Sequence, residues 1–197
     1  VSDYKYYELE DLLAIARERG EDPFFIILDE ITDPHNLGTI IRTADAVGAH
    51  GVIIPKRRSV HITSVVAKAS AGAVEYVPVC KVTNIVNTIK RLKEEINVPI
   101  SIDTYKSEVA EEALKLGVDM VNDVWGLTYD GKMADVVAKY DGEVCIMHNQ
   151  EGTDYDKDIM EAIKEFLQNS IDMALKAGVK KEKIVLDPGI GFGKTYE

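Results

Sequence analysis

Seven short apolar runs, beginning near Phe24, Val52, Val77, Val98, Met120, Val144 and Ile184, alternate along this chain with segments whose apolar residues recur every three or four positions. Strands separated by helical crossovers pair in parallel, because the chain must return to the same end of the sheet before each new strand begins. The alternation therefore predicts an α/β fold of about seven mostly parallel strands with flanking helices, forming an incomplete (β/α) barrel or an open twisted sheet. A chain of 197 residues with 46% hydrophobic content can bury one well-packed domain or two small ones, and the expectation is that it packs as one.

The local signals are consistent with this alternation. An amphipathic helix at about residues 8 to 19, ended by Gly20, precedes the strand FFIIL at Phe24 to Leu28. Asn36 then suits a helix cap, Leu37, Ile40, Ile41, Ala44 and Val47 share one face, Gly48 stops the helix, and Val52 to Ile54 form the next strand. Loops this short admit only a right-handed crossover. Thr83 caps a further helix whose apolar face is Ile85, Val86, Ile89 and Leu92, with the charged run Lys90 to Glu95 in water. Pro99 opens the strand Ile100 to Ile102, and a long helix from about Asp158 to Lys176 ends at Gly178 before Ile184 to Leu186.

From Ile96 onward each strand ends in polar residues: Asp103-Thr104, Asn122-Asp123, His148-Asn149 and Asp187. The carboxyl ends of parallel strands are where such folds place their chemistry. A lone His at a strand end, as His148 is, is more often a hydrogen-bonded structural residue than a ligand or general base. The glycine-rich GIGFGKT segment is not a nucleotide loop: Pro188 stands where the P-loop pattern requires glycine, and Gly189, Gly191 and Gly193 alternate rather than following G-x-G-x-x-G. Its glycines permit close approach of backbone to a ligand or tight packing.

Composition restricts the partners. No apolar run approaches the roughly 20 residues of a membrane span, and the amino end VSDYKYYELEDLL is too acidic for a signal peptide, so no membrane partner and a cytoplasmic location are expected. Cys80 and Cys145 sit in apparent strands without metal-like spacing and read as reduced core thiols. The net charge is −11, and it is unevenly spread. Residues 1 to 95 carry 12 Lys+Arg against 14 Asp+Glu, while residues 96 to 197 carry 11 against 20. The run Lys56, Arg57, Arg58 could meet phosphates, but the acidic half repels RNA.

Two resemblances divide the chain near Glu95. Residues 23 to 95, with the Asn-Leu-Gly turn at Asn36, Arg42 a helical stretch beyond it, and KASAGAVEYVPV at Lys68 to Val79, resemble the first motif of the SpoU family of RNA ribose 2′-O-methyltransferases. That resemblance implies that Asn36 and Arg42 lie beside a methyl-transfer site, Arg42 helping to activate the ribose hydroxyl. On spacing alone, Asn36 is a cap and Arg42 a solvated helix residue. The family's later motifs, which build its S-adenosylmethionine pocket, are absent.

Residues 96 to 197 resemble dihydropteroate synthase through PISIDTYKSEVAEEAL, MVNDVWG, VCIMHN and IVLDPGIGFGKT, four motifs in family order. The resemblance implies a pterin pocket lined by Asp103, Asn122 and Asp187, with Met147 and Phe192 near the ring. A carboxylate accepting two ring N–H groups would orient such a ligand, and soft or aromatic side chains suit its flat face. By itself Met147 is better read as core. The resemblance covers only the third to sixth strands of an eight-stranded barrel and omits the groups that handle the pyrophosphate leaving group.

The expected function is accordingly a partial pterin-binding scaffold in a fused or designed chimera, without turnover. The alternatives are an RNA 2′-O-methyltransferase and a structural chimera with no ligand. Magnesium or S-adenosylmethionine would be needed only if a parent activity survives. An exposed apolar last strand would pair with a second copy, making a homodimer.

Overall fold

The computed structural model describes residues 4–29 and 31–195. Among them, seven strands and seven α-helices alternate as expected. They are α1 (Leu9–Arg19), β1 (Phe25–Ile27), α2 (Pro34–Ala46), β2 (Gly51–Pro55), α3 (Ser64–Ala69), β3 (Val79–Val82), α4 (Ile85–Glu95), β4 (Ser101–Asp103), α5 (Ser107–Lys115), β5 (Met120–Asp123), α6 (Met133–Lys139), β6 (Glu143–Met147), α7 (Ile159–Ala177) and β7 (Ile184–Asp187). All strand pairs are parallel, and neither sheet is closed.

The strands form two sheets, β1-β2-β3 and β4-β5-β6-β7, where one packed domain was expected. The chain divides into two compact units, Val1–Val98 and Pro99–Glu197, each with its own hydrophobic core. Parallel pairing is set by contacts distant in sequence, so a strand pattern alone does not say where one sheet ends and the next begins.

In the first unit, Leu37, Ile41 and Ala44 of α2 pack with Val52 and Ile54 of β2 and Val79 of β3 in a fully buried cluster. The helix caps differ from expectation. Asn36 lies inside α2, not at its cap; Asp33 accepts a hydrogen bond from His35 N at 2.9 Å, and Pro34 occupies the first helical position, where a missing N–H costs nothing. Asn84, not Thr83, caps α4, accepting from Asn87 N at 2.9 Å. The amino-terminal segment adds a feature that periodicity did not reveal. Tyr7 pairs with Cys80 of β3, the Tyr4 hydroxyl accepts from Val79 N, and the Tyr6 hydroxyl accepts from Ile62 N.

In the second unit the core lies on one side of the sheet. Val121, Val144 and Ile146 are fully buried, and they pack with Ala110 of α5, Val137 of α6 and Ala174 of α7. Residues two apart on a strand share a face, and laterally paired residues point the same way. The opposite face therefore carries Ser101 and Asp103, Met120 and Asn122, Glu143, Cys145 and Met147, and Val185 and Asp187. Of these only Met147 is buried. The last strand, β7, lies at the sheet edge with Val185 47% and Leu186 45% exposed. Among the described residues no helix is long and apolar enough to cross a membrane.

Candidate functional site

The open face of β4–β7 carries the polar strand ends in register. Asp103 pairs with Asn122, Asn122 with Cys145, and Met147 with Asp187, so five of these side chains form two adjacent rows on one face. From β4 to β7 the rows span three strand spacings, about 14 Å along the sheet. Asn122 donates from Nδ2 to Asp103 Oδ2 at 3.1 Å, and Gly189 N donates to Asp187 Oδ1 at 2.7 Å. Each carboxylate thus has one oxygen fixed by the protein. Among the described residues no donor reaches the other, which is left for an incoming N–H group.

Partial burial at the strand end raises the pKa of Asp103, and the Asn122 amide opposes that rise. Cys145 lies between the two carboxylates. Burial first, and then the charges of Asp187 and Asp103, push its thiol up. A neutral thiol here offers a soft floor, not a nucleophile. Met147, 4% exposed, lies beneath Gly189 instead of joining the helix-covered core.

The loop after β7 closes one rim of this face. Gly189 has φ +66°, and a Cβ there would sit 2.1 Å from the carbonyl oxygen of His148, so only glycine fits. Phe192 is 48% exposed and donates its N–H to Gly189 O at 3.0 Å. His148 is the hydrogen-bonded structural residue that its position suggested: it is 2% exposed, and its ring lies against Tyr155 and Phe166. Its backbone N donates to Asp187 O at 2.9 Å, tying β6 to β7 at the site.

Sequence reasoning gave Asp123 no role of its own. It is fully buried and accepts from Trp125 N at 2.9 Å and Leu127 N at 2.8 Å, shaping the loop directly after Asn122. The signal was available in the alternation of β5, since neighbouring strand residues face opposite ways and Asp123 must point away from Asn122. Lys194 and Cys145 also belong to the site. Both stand in segments that the sequence singles out, GIGFGKT and VCIMHN, but their residue types alone give neither a role at the site.

In the first unit Asn36 and Arg42 are both exposed on α2. Six residues apart on one helix, they project about 120° apart around its axis, so they do not converge on a single point from that helix. A concavity of about 380 Å³ lies elsewhere in this unit, lined by Tyr4, Tyr7, Thr63, Ala67, Val74 and Pro78 among others, and none of the expected site residues borders it.

Comparison with known proteins connects the second unit's geometry to a family. A model of the family described as pterin binding enzyme matches residues 60–197. The dihydropteroate synthase of Clostridium beijerinckii is 50% identical over 117 residues, which is 59% of this chain and 43% of that protein. A Bacillus subtilis protein named as a TrmH family tRNA/rRNA methyltransferase is 61% identical over 94 residues, 48% of this chain and 38% of that protein. The two matched stretches together exceed the chain's 197 residues, so they share a segment.

Among solved structures, the dihydropteroate synthase of Clostridium difficile, determined in the presence of pteroic acid, is similar over 88% of this chain and 66% of its own. Its identity is 47% and its TM-score 0.57. The Thermus thermophilus enzyme in complex with 6HMPPP gives 31% identity and a TM-score of 0.54, covering 88% of this chain and 62% of its own. This chain therefore spans less than half the length of the curated relatives it matches. With the family model matching well over half of the chain, and with its aspartates and asparagine aligned on one open strand face, the chain belongs to the pterin binding enzyme family.

Proposed function

We propose that the second unit binds a pterin ring across the open face of β4–β7, and that the chain is a chimera in which a SpoU-like unit precedes this part of a dihydropteroate synthase, without turnover. The observation that carries the reading is the set of two carboxylates and one amide on the same face, each carboxylate keeping one oxygen for a ring N–H. Asp103, Asn122 and Asp187 would read the ring edge, with Met147 and Phe192 at its plane. Similarity to the Clostridium beijerinckii synthase over 117 residues supports the ligand class.

Turnover requires more than ring recognition. Affinity for the ground state alone does not raise the rate of a chemical step. The resemblance assigns the departing pyrophosphate to a metal ion and cationic groups on strands outside this part of the barrel. Among the described residues no three His, Cys, Asp or Glu side chains converge as a metal site, so these side chains offer no cage for magnesium. Loss of one stabilising donor in a transition state costs on the order of 100-fold to 1,000-fold, and several are involved here. The methyltransferase reading is supported by the 61% identical stretch, but Asn36 and Arg42 diverge around α2, and no methyl transfer is expected.

The test is thermal denaturation with 6-hydroxymethylpterin, p-aminobenzoate or S-adenosylmethionine, run beside an assay for pteroate formation with magnesium present. A pterin at 100 times its Kd should add about 2.7 kcal/mol of stability, with no turnover. A shift with S-adenosylmethionine alone, or pteroate formation above background, overturns the reading. The exposed edge of β7 supports self-association through strand pairing. Sedimentation should show a concentration-dependent dimer that Val185→Lys weakens, and a monomer at all concentrations would rule this out.

A further inference from the structure

The loop that carries Phe192 is held by a lysine whose acceptors all lie within the second unit. Lys194 Nζ donates to Gly189 O at 2.9 Å and Phe192 O at 2.7 Å, and it lies 2.9 Å from His148 Nδ1. An ammonium has three donors and no acceptor, so beside a charged Lys194 the Nδ1 of His148 accepts, and the imidazole is neutral with its proton on Nε2. All three lysine donors are then used. Two of them close the turn from Gly189 to Phe192, and the third ties that turn to the buried end of β6. The Tyr155 hydroxyl adds a second tie from the β6–α7 loop, donating to Gly193 O at 2.8 Å.

We propose that Lys194 is a positioning residue for the ring site, fastening the Gly189–Phe192 turn to His148 so that Phe192 stands at the rim of the β4–β7 face, and that protonation of His148 releases this fastening. A proton on Nδ1 removes the acceptor and sets two cations side by side in a buried place. Among the described residues, the charged and titratable groups that meet His148 are Lys194 from the loop after β7 and Tyr155 from the β6–α7 loop, with Asp187 of β7 acting on Lys194, and the Phe166 ring of α7 packs edge-on against it. Burial, and then the Lys194 cation, hold the His148 pKa below its ordinary value. Burial also lowers that of Lys194, against the attraction of Asp187. For a base whose folded pKa is depressed, the native state binds the proton less readily than the unfolded chain does. The fastening is thus intact above about pH 6.5 and is lost as pH falls through the folded pKa.

This inference rests on the pterin reading for its functional consequence, but the fastening can be measured without a ligand. The experiment uses the full chain as wild type, Lys194→Met and His148→Gln, whose amide oxygen keeps an acceptor for lysine but does not titrate. Amide exchange of Gly189, Gly191 and Phe192 is followed from pH 5.5 to 8 after correction for intrinsic exchange, and 6-hydroxymethylpterin binding is titrated over the same range. Loss of one charge-assisted hydrogen bond corresponds to roughly tenfold. Wild-type protection and affinity should each fall, by up to about tenfold, as pH drops towards and through the folded pKa of His148. Lys194→Met should show the weakened values at every pH, and His148→Gln should be flat near the high-pH values.

Loop protection and affinity in Lys194→Met equal to wild type would overturn the proposal, as would a wild-type pH profile that persists in His148→Gln. If the loop responds as expected but wild type binds no pterin, the fastening stands and the pterin reading falls. If pterin binds and the loop does not respond, the reverse holds.

Discussion

Asp187→Asn is expected to weaken pterin binding by at least about 100-fold while leaving the turn after β7 in place. The carboxylate has two tasks, and the asparagine separates them. Its Oδ1 accepts from Gly189 N at 2.7 Å, which an amide oxygen can also do. Its other oxygen is the free acceptor on the open face, and the substitution puts an NH₂ group there, opposing a donor on the ring to a donor on the protein. Asp187→Ala should lose binding to a similar degree, and it should also release Gly189, so its loop amides exchange faster than those of the asparagine variant. Calorimetric titration with 6-hydroxymethylpterin gives the affinities, and amide exchange gives the loop. Wild-type affinity in Asp187→Asn combined with loss in Asp187→Ala would mean that Asp187 shapes the turn and does not read the ring.

The row that contains Asp187 was legible because of a rule about strand ends. Four runs each finish in a polar residue, and parallel strands bring their carboxyl ends to one edge. The register then sets the levels, with Asp103 beside Asn122 and Met147 beside Asp187. Long elements with unambiguous terminal signals were also legible. Asp158 and Gly178 bound α7 as their residue types suggest, the aspartate accepting from Met160 N and Glu161 N and the glycine adopting φ +103°. Where several eligible residues stand together, the choice was not legible. Asp33 and Asn36 both suit a cap, and only the fit of Pro34 to the first helical position favours the former.

Contacts distant in sequence were legible least. Lys194 and His148 are 46 positions apart, and nothing in either neighbourhood specifies the other. The division into two sheets has the same origin. Every strand from β1 to β7 has five residues or fewer, too short to specify its partner by itself, and the two sheets pack around separate cores. The second unit's sheet has two unlike sides. Its helix-covered side contains Val121, Val144 and Ile146, all fully buried, whereas of the register-paired side chains on its other side only Met147 is buried. One sheet therefore carries a core on one side and the candidate site on the other, divided by the parity of position along each strand.

Parity also makes Asp123 the residue whose loss should cost the fold most for the fewest atoms. It lies next to Asn122 but points into the protein, and it is fully buried. Its carboxylate accepts from Trp125 N and Leu127 N, holding a turn in which Gly126 and Leu127 both have left-handed backbones, with φ 58° and 71°. Leu127 is a side-chain-bearing residue in that region, which costs about 1 to 2 kcal/mol and persists only where neighbours enforce it. Ser170 of α7 helps by donating from Oγ to Gly126 O at 2.8 Å, but it does not reach the two backbone N–H groups that Asp123 satisfies.

Asp123→Ala should therefore destabilise the chain by about 3 kcal/mol, since one buried and one partly buried donor lose their acceptor and the strained turn loses its restraint. Asp123→Asn, which keeps one oxygen, should recover part of the loss. Burial, opposed by these two hydrogen bonds, raises the Asp123 pKa above the ordinary carboxyl value. Between its unfolded and folded pKa values the native state then holds a proton that the unfolded chain has released, so this group's contribution to stability declines as pH rises through that window. Urea denaturation of wild type and both variants across the acid range measures both effects. An alanine variant as stable as wild type at neutral pH would show that the loop does not depend on this carboxylate, and an unchanged acid-range slope in Asp123→Asn would assign the titration to another group.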